Sequence, residues 1–290
     1  MTPFTSTRKL LFLCPVLSAL LFLTTASSPA GGTPQLFGRL TLRSETVRAF
    51  NTYLASTDQK NSSTLNSGNF LWVDDLEGSE RQDAYEKLKR GDVVMRHINA
   101  SGATAELSGG MIHDWEGAVF IPGTKLQAVL AILQDYDHHA TYFTPDVESA
   151  RIEAHDGDHF RVFMRFRRTN VITVVLNTEH EITYFRDSPA KAHSRSSAVR
   201  IAEVENPGGK PEKESPPGKD NGFLWRMETW WRLQEKDGGV YLQSQAVSLT
   251  RDIPSGLAWA VEPFVTTIPK ESLEFTLQAT RKAVLAPPNK

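Results

Sequence analysis

Two histidines, His113 and His180, fall on otherwise apolar faces of strands that the sequence predicts. Histidine is the side chain whose ordinary pKa lets it take and return a proton near neutral pH. In a pocket either one could serve as a general base. In a filled core each would simply hydrogen-bond to its neighbours, and both readings stay open. Thr229, Ser244 and Ser248 are the other polar groups on these faces, suited to orienting a ligand rather than to chemistry.

Other clusters point away from catalysis. His155-Asp156-Gly157-Asp158-His159 has metal-ligand residue types, but Asp-Gly at a hairpin tip accounts for it better. His138 and His139 are adjacent and diverge on a helix, so they do not share an ion easily. Arg165, Arg167 and Arg168 lie on one strand, with Arg165 and Arg167 on its outer, solvated face. Glu179 and Glu181 also project outward, on either side of His180. There is no Gly-x-Ser-x-Gly elbow, no His-Glu-x-x-His, no P-loop and no paired carboxylate site. No catalytic residue, metal or cofactor is assigned.

The elements that carry these residues are mostly strands. In Phe223–Gln234, Phe223, Trp225, Met227, Trp231 and Leu233 alternate with charged or polar residues, the period of a strand with one buried face. Asp237-Gly238-Gly239 supplies a hairpin turn, and Val240–Arg251 is the partner strand. Pro254 opens a helix whose Leu257, Val261, Phe264 and Ile268 share one face. Pro263 and Pro269 predict a break or kink in it between Glu262 and Lys270. Strand parity places Met111, Trp115, Phe160, Val162, Met164, Phe166, Ile172, Val174, Leu176, Ile182, Tyr184 and Leu242 on the same interior side. The pocket-lining set expected from this parity is His113, Trp115, Met164, Phe166, His180, Tyr184, Trp225, Met227, Thr229, Trp231 and Ser244, with Trp259 and Phe264 from the helix.

Taken in order, Leu40–Ser56 and Ser79–Arg90 read as helices, Asp58–Gly68 as a loop, and Val93–Ile98 with Ala103–Leu107 as a hairpin. The stretch 31–108 is thus an N-terminal helical appendage, its apolar stripes too thin to bury much alone. From Met111 come one strand, two short helices over Leu126–Phe143, six strands and one long helix. Asn206–Asn221 is rich in Pro, Gly and charge and reads as a mobile surface loop.

The first thirty residues stand apart. Arg8 and Lys9 precede the apolar run Leu10–Leu23, with small residues around Ala26 and Ala30, the pattern of a secretory signal. The run is short for a bilayer span and Pro15 interrupts it; an uncleaved anchor is the alternative. Cleavage removes Cys14, the one cysteine, and with it any disulfide or thiol chemistry. It leaves thirty basic residues against thirty-four acidic, a balance that argues against nucleic acid as a partner.

The order of elements over 109–290 resembles the START-like, polyketide cyclase-like helix-grip (SRPBCC) superfamily. Gly123–Tyr136, with its Asp135-Tyr136 pair, is similar to the family's first helix entering its bend. Tyr142–Ser149 is similar to its step into the second strand, and Trp230–Leu233 with Val247–Pro254 to its last hairpin and the lead into the gripping helix. The resemblance implies an α+β fold, a curved antiparallel sheet wrapped around a long C-terminal helix, in a secreted bacterial branch. It implies a cavity for an apolar small molecule: a lipid, fatty acid or polyketide-like compound. The alternatives are a filled core whose protein partner docks on the N-terminal appendage, and a cyclase-like enzyme using a pocket histidine.

Overall fold

A computed structural model describes residues 39–98, 106–170, 172–252 and 267–287. The signal segment, with Cys14, and most of the helix expected after Pro254, with Trp259, Pro263 and Phe264, lie outside the described residues. Strand β1 (Leu40–Thr41) is followed by helices α1 (Ser44–Ser67) and α2 (Gly78–Arg90), with a 3-10 turn at Trp72–Asp75 between them. Strands β2 (Val94–His97), β3 (Glu106–Leu107) and β4 (Gly110–Pro122) lead to α3 (Leu126–Gln134), a 3-10 turn, and α4 (His139–Tyr142). Then come β5 (Val147–Asp156), β6 (His159–Thr169), β7 (Thr173–Ser188), β8 (Lys191–Glu205), β9 (Lys213–Glu214) and β10 (Lys219–Asp220). The hairpin β11 (Arg226–Lys236) and β12 (Gly239–Thr250) precedes the last helix, α5 (Ile268–Leu285).

The main sheet is antiparallel, in the order β2-β4-β12-β11-β8-β7-β6-β5. Two-residue turns set much of its register: Asp237 and Gly238 both have positive φ, as a type I′ hairpin needs, and they bring Lys236 opposite Gly239. Helix α5 lies on the inner face against β4 and β12. Its Leu273 and Leu277 pack with Val119, Ile121, Leu242 and the apolar face of α3 (Leu126, Val129, Leu130, Leu133). Each such side chain stabilises the fold by roughly 1.5–3 kcal/mol. This is an α+β helix-grip arrangement. Pro269 sits in the first turn of α5, where a missing N–H leaves no hydrogen bond unmade.

The outer face is covered too. Phe50 of α1 packs with Ile112, Trp230, Val247 and Leu249, while Ala84 and Leu88 of α2 pack with Ala118, Phe120 and Tyr241. Central strand β12 is therefore buried on both sides along nearly its whole length. Over residues 39–98, α1 and α2 lie on the sheet and β2 extends it.

Several expectations differ from the structure. Val93–Ile98 and Ala103–Leu107, expected to pair as a hairpin, each pair with β4 over their described residues, because β4 offers a free edge to both. The first helix begins at Ser44 and runs through the polar stretch expected as a loop, stopping at Gly68 with φ +90. Its polar residues are held by the sheet, with Asn61 bonded to Gln245 at 3.0 Å. The segment 206–221, expected as a mobile surface loop, instead pairs with its neighbours: β9 with β8, and β10 with β1. Ser215 and Asp220 within it are buried. Trp225, expected inside, packs on the outer face with Phe50 and Leu249. It precedes β11, and its indole N–H is drawn to Asp220 at 2.8 Å, so strand parity does not govern it.

Candidate functional site

Where α5 rests on β4 the two are in direct contact, because residue 117 is glycine. A Cβ there would stand 2.8 Å from Leu277 and closer still to Met95. On the other side of α5 the sheet carries inward residues that are small apart from Trp231. Ser194, Trp231 and Ser244 are register partners across β8, β11 and β12, and so are Ser196, Thr229 and Ala246. Hydroxyls and methyls do not reach the helix, and the space they leave is a cavity of about 300 Å³.

Most of its wall is apolar: Met164, Phe166, Val174, Leu176 and Ile182 from β6 and β7, Met227 and Trp231 from β11, and Leu273 and Phe275 from α5. One end is closed by Tyr136, His139, Phe143, Asp146 and Val147, around α4 and the start of β5. There Tyr136 and Tyr184 share a 2.7 Å bond, and Tyr184 donates to the Leu133 carbonyl at 3.2 Å, so Tyr136 donates to Tyr184. Burial pushes both phenols above their ordinary pKa, and they remain neutral.

His180 is fully enclosed, and burial alone holds its pKa down to about 4. The Thr178 hydroxyl donates to the Met164 carbonyl at 2.9 Å and so accepts from His180 Nε2 at 2.8 Å. His180 Nδ1 is left to a long 3.5 Å contact with Ser196. His139 is likewise held to about 4, first by burial, against the opposing pull of the Ile132 and Leu133 carbonyls; its Nε2 has no partner. Arg168 donates to Asp146 at 2.8 Å, and its Nε is also unpartnered. Burial pushes the Asp146 carboxyl up while Arg168 pulls it down, and burial prevails. Ser194 and Ser244 each carry a buried hydroxyl without a partner. Four unpartnered polar atoms thus belong to residues lining a mostly apolar chamber, a pattern native structures rarely leave unexplained.

Of the expected lining residues, Met164, Phe166, His180, Tyr184, Met227, Thr229, Trp231 and Ser244 come together here. His113 and Trp115 do not. They share the inner face of β4, but His113 bonds Thr250 at 2.9 Å and Trp115 is packed between His97 and Lys270. Trp225 is on the far side of the sheet, and Trp259 and Phe264 lie outside the described residues. Sequence reading passed over Ser194, Ser196, His139, Asp146 and Arg168. A signal for the serines existed in the small residues Ala192, Ser194, Ser196 and Ala198 at every second position of β8. Arg165 and Arg167 do project outward, onto Glu148. Among the described residues, no group of three or more His, Cys, Asp or Glu could hold a metal ion.

No protein-family model matches the chain, and no curated protein does either. Solved structures do. A STAR-related lipid transfer protein from Xanthomonas axonopodis is 18% identical, covering 66% of this chain and 99% of its own, with a TM-score of 0.43. Human STARD10 is 9% identical over 71% of this chain and 81% of its own, with a TM-score of 0.41. The Zhui aromatase/cyclase of a Streptomyces species is 13% identical over 66% and 94%, with a TM-score of 0.36. The chain is similar to these structures in fold.

Proposed function

We propose that the protein binds or carries an apolar small molecule bearing one or two polar groups, in the cavity between the sheet and α5. A lipid, a fatty acid or a polyketide-like compound fits this chemistry. The observation that carries the reading is the pairing of an apolar wall with unpartnered polar atoms at His139, Arg168, Ser194 and Ser244. A dry void of 300 Å³ costs about 7 kcal/mol on the cavity-mutant scale, comparable with the whole stability of a domain at about 5–15 kcal/mol. A ligand removes that cost and offers partners to the four stranded groups. The apolar run Leu10–Leu23 after Arg8 and Lys9 supports an extracytoplasmic setting, with a mature protein beginning just after Ala26 or Ala30. N-terminal sequencing of protein from its own host checks that start.

Native mass spectrometry of the same material tests the binding reading directly. A co-purifying lipophilic mass, displaced by a fluorescent fatty acid, is the expected result. A clean apoprotein mass together with no saturable binding of fatty acids would overturn it.

A cyclase-like enzyme is the second reading, and one observation favours it: His139 is neutral at pH 7 and keeps a free Nε2 lone pair beside the cavity. His180 is less suited, since both its nitrogens are engaged. Conversion of a bound poly-β-ketone by the wild type and not by His139→Phe would establish this reading.

A further inference from the structure

The main sheet is split along one stretch of the inner cavity's wall. Strand β11 pairs with β8 only from Glu228, opposite Ser197, to Gln234, opposite Lys191. Beyond Glu228 the two part. The far end of β8 pairs with β9, while residues 221–225, the strap that leads into β11, run along β12. There the Trp225 N–H donates to the Leu249 carbonyl at 2.8 Å and the Arg251 N–H to the Gly222 carbonyl at 2.7 Å. Phe223 and Leu224 of the strap line the cavity.

Among the described residues, no backbone hydrogen bond joins the strap to β8. One side chain closes the seam instead. Glu203 is the register partner of the cavity-lining Leu176, so the two share the inner face. One carboxylate oxygen of Glu203 accepts from the Phe223 N–H at 3.0 Å. The other accepts from the Asn221 N–H and side-chain amide, at 3.0 and 2.9 Å.

Asp220 stands directly before this clamp and is 1% exposed. Its Oδ1 accepts from the Gly222 N–H at 2.9 Å and the Trp225 indole at 2.8 Å, and Oδ2 has no partner. Two buried carboxyls so close together do not both ionise without cost. Two cations face them, Arg251 from β12 toward Glu203 and Arg226 from β11 toward Asp220. Both guanidiniums are turned onto backbone carbonyls, of Asn221 at 3.1 Å and of Trp225 at 2.8 Å, and Asp252 offsets the charge of Arg251. From β1 the register partner of Asp220 is the uncharged Leu40, and Glu205 on β8 is taken by Arg39. Burial, then the nearness of Asp220, pushes the Glu203 carboxyl up to about 7, and burial raises Asp220 too.

We propose that this seam is the portal of the inner cavity, latched by a proton held between Glu203 and Asp220 and released above neutral pH, when both carboxyls ionise and repel. A portal has a use only if the cavity takes a guest, so it rests on the binding reading.

Hydrogen–deuterium exchange of the strap amides, taken as protection relative to the intrinsic rate at each pH, tests the latch without any ligand. Protection should fall about tenfold between pH 6 and pH 8, as one proton titrating at about 7 requires. Asp220→Asn, which leaves a single charge, should keep the pH 6 protection throughout. Glu203→Gln, of the same shape with one acceptor fewer, should lose protection at both pH values. Release of methyl parinarate, a fluorescent ester with no charge of its own to titrate, should quicken by a similar factor in wild type and not in Asp220→Asn. No binding of the ester would overturn the binding reading and the portal with it. Binding with strap protection that is flat in pH, or with release that ignores pH, would overturn the portal alone.

Discussion

Arg168 and Asp146 form an ion pair of 2.8 Å in the wall of the inner cavity, and the Arg168 Nε beside it finds no acceptor. Among the described residues, the pair is the one place where charged side chains meet the apolar chamber. Its partner carboxylate competes with any acid that would dock there. Asp146→Asn should therefore leave a cation free to meet a fatty-acid carboxylate. Affinity for a fluorescent fatty acid is expected to rise by about three- to fivefold, the range of a partly exposed ion pair. The corresponding fatty alcohol should show no gain. Equal gains for acid and alcohol would mean that shape, not charge, had changed.

Ser244 is wholly buried opposite Gly117 and Trp231, with an unpartnered hydroxyl. Deleting a buried hydroxyl that lacks a partner removes a desolvation cost and no hydrogen bond. Ser244→Ala should leave the ligand-free protein as stable as before, or more stable by about 1 kcal/mol. Urea midpoints of delipidated protein measure this. A loss of stability would show that the hydroxyl has a partner after all, such as an ordered water.

Gly117 marks where helix and sheet approach most closely. Alanine there would drive a methyl into Leu277 and Met95, of which Met95 can swing aside and Leu277, at the centre of α5, is held by its neighbours. Gly117→Ala is expected to destabilise by about 1–3 kcal/mol, the usual cost of overpacking. Pairing it with Leu277→Val should restore part of that loss, and two independent losses would contradict the contact.

Acid-base behaviour has two opposing sources. Glu203 accepts from the backbone N–H of Phe223 and Asn221, yet burial and the nearby Asp220 push its pKa up to about 7, and Asp220 is raised as well. A carboxyl raised in the folded state contributes stability that is complete below its ordinary value of about 4.5 and lost as pH climbs to 7. His113, His139 and His180 are each held down to about 4, chiefly by burial, with His97 adding to the effect on His113. Their contribution is complete above about 6.5 and is lost as pH falls toward 4. A single variant separates the two. Asp220 Oδ1 takes Gly222 and Trp225, while Oδ2 has no partner. Asp220→Asn can place its amide nitrogen at Oδ2, beside Glu203. Its stability relative to wild type should rise between pH 5 and pH 8, by on the order of 1 kcal/mol at the upper end. A difference independent of pH would show that the two carboxyls do not interact.

Much of the inner site was legible because strand parity is local. The period of two is set by the backbone, so Met164, Phe166, His180 and Tyr184 could be assigned to one face from their spacing alone. Arg168 has the parity of Met164 and Phe166 and stays in register with Val174, so the alternation did place it inward; its charge, beside Arg165 and Arg167, hid that, and its partner Asp146 lies outside β6. His139 was hidden in a short helix with no clear period. The polar run at 58–67 reads as loop by composition and is helical because Asn61 and its neighbours meet buried partners on the sheet.

The sequence by itself determined the strands, their inward faces and the hairpin at Asp237-Gly238, since each depends on residues a few positions apart. Only the tertiary structure decided which inward residues meet open space. His113 and Trp115 share the inner face with Trp231 and Ser244, but α5 lies directly on β4 through Gly117 and leaves the chamber over β8 and β11. The polar contacts beneath α1 were decided in the same way. Asn61 is far in sequence from Arg232 and Gln245, and no spacing in the chain foretells that α1 will cross the back of the sheet and bring them together. Separation in sequence carries no distance until the fold supplies it.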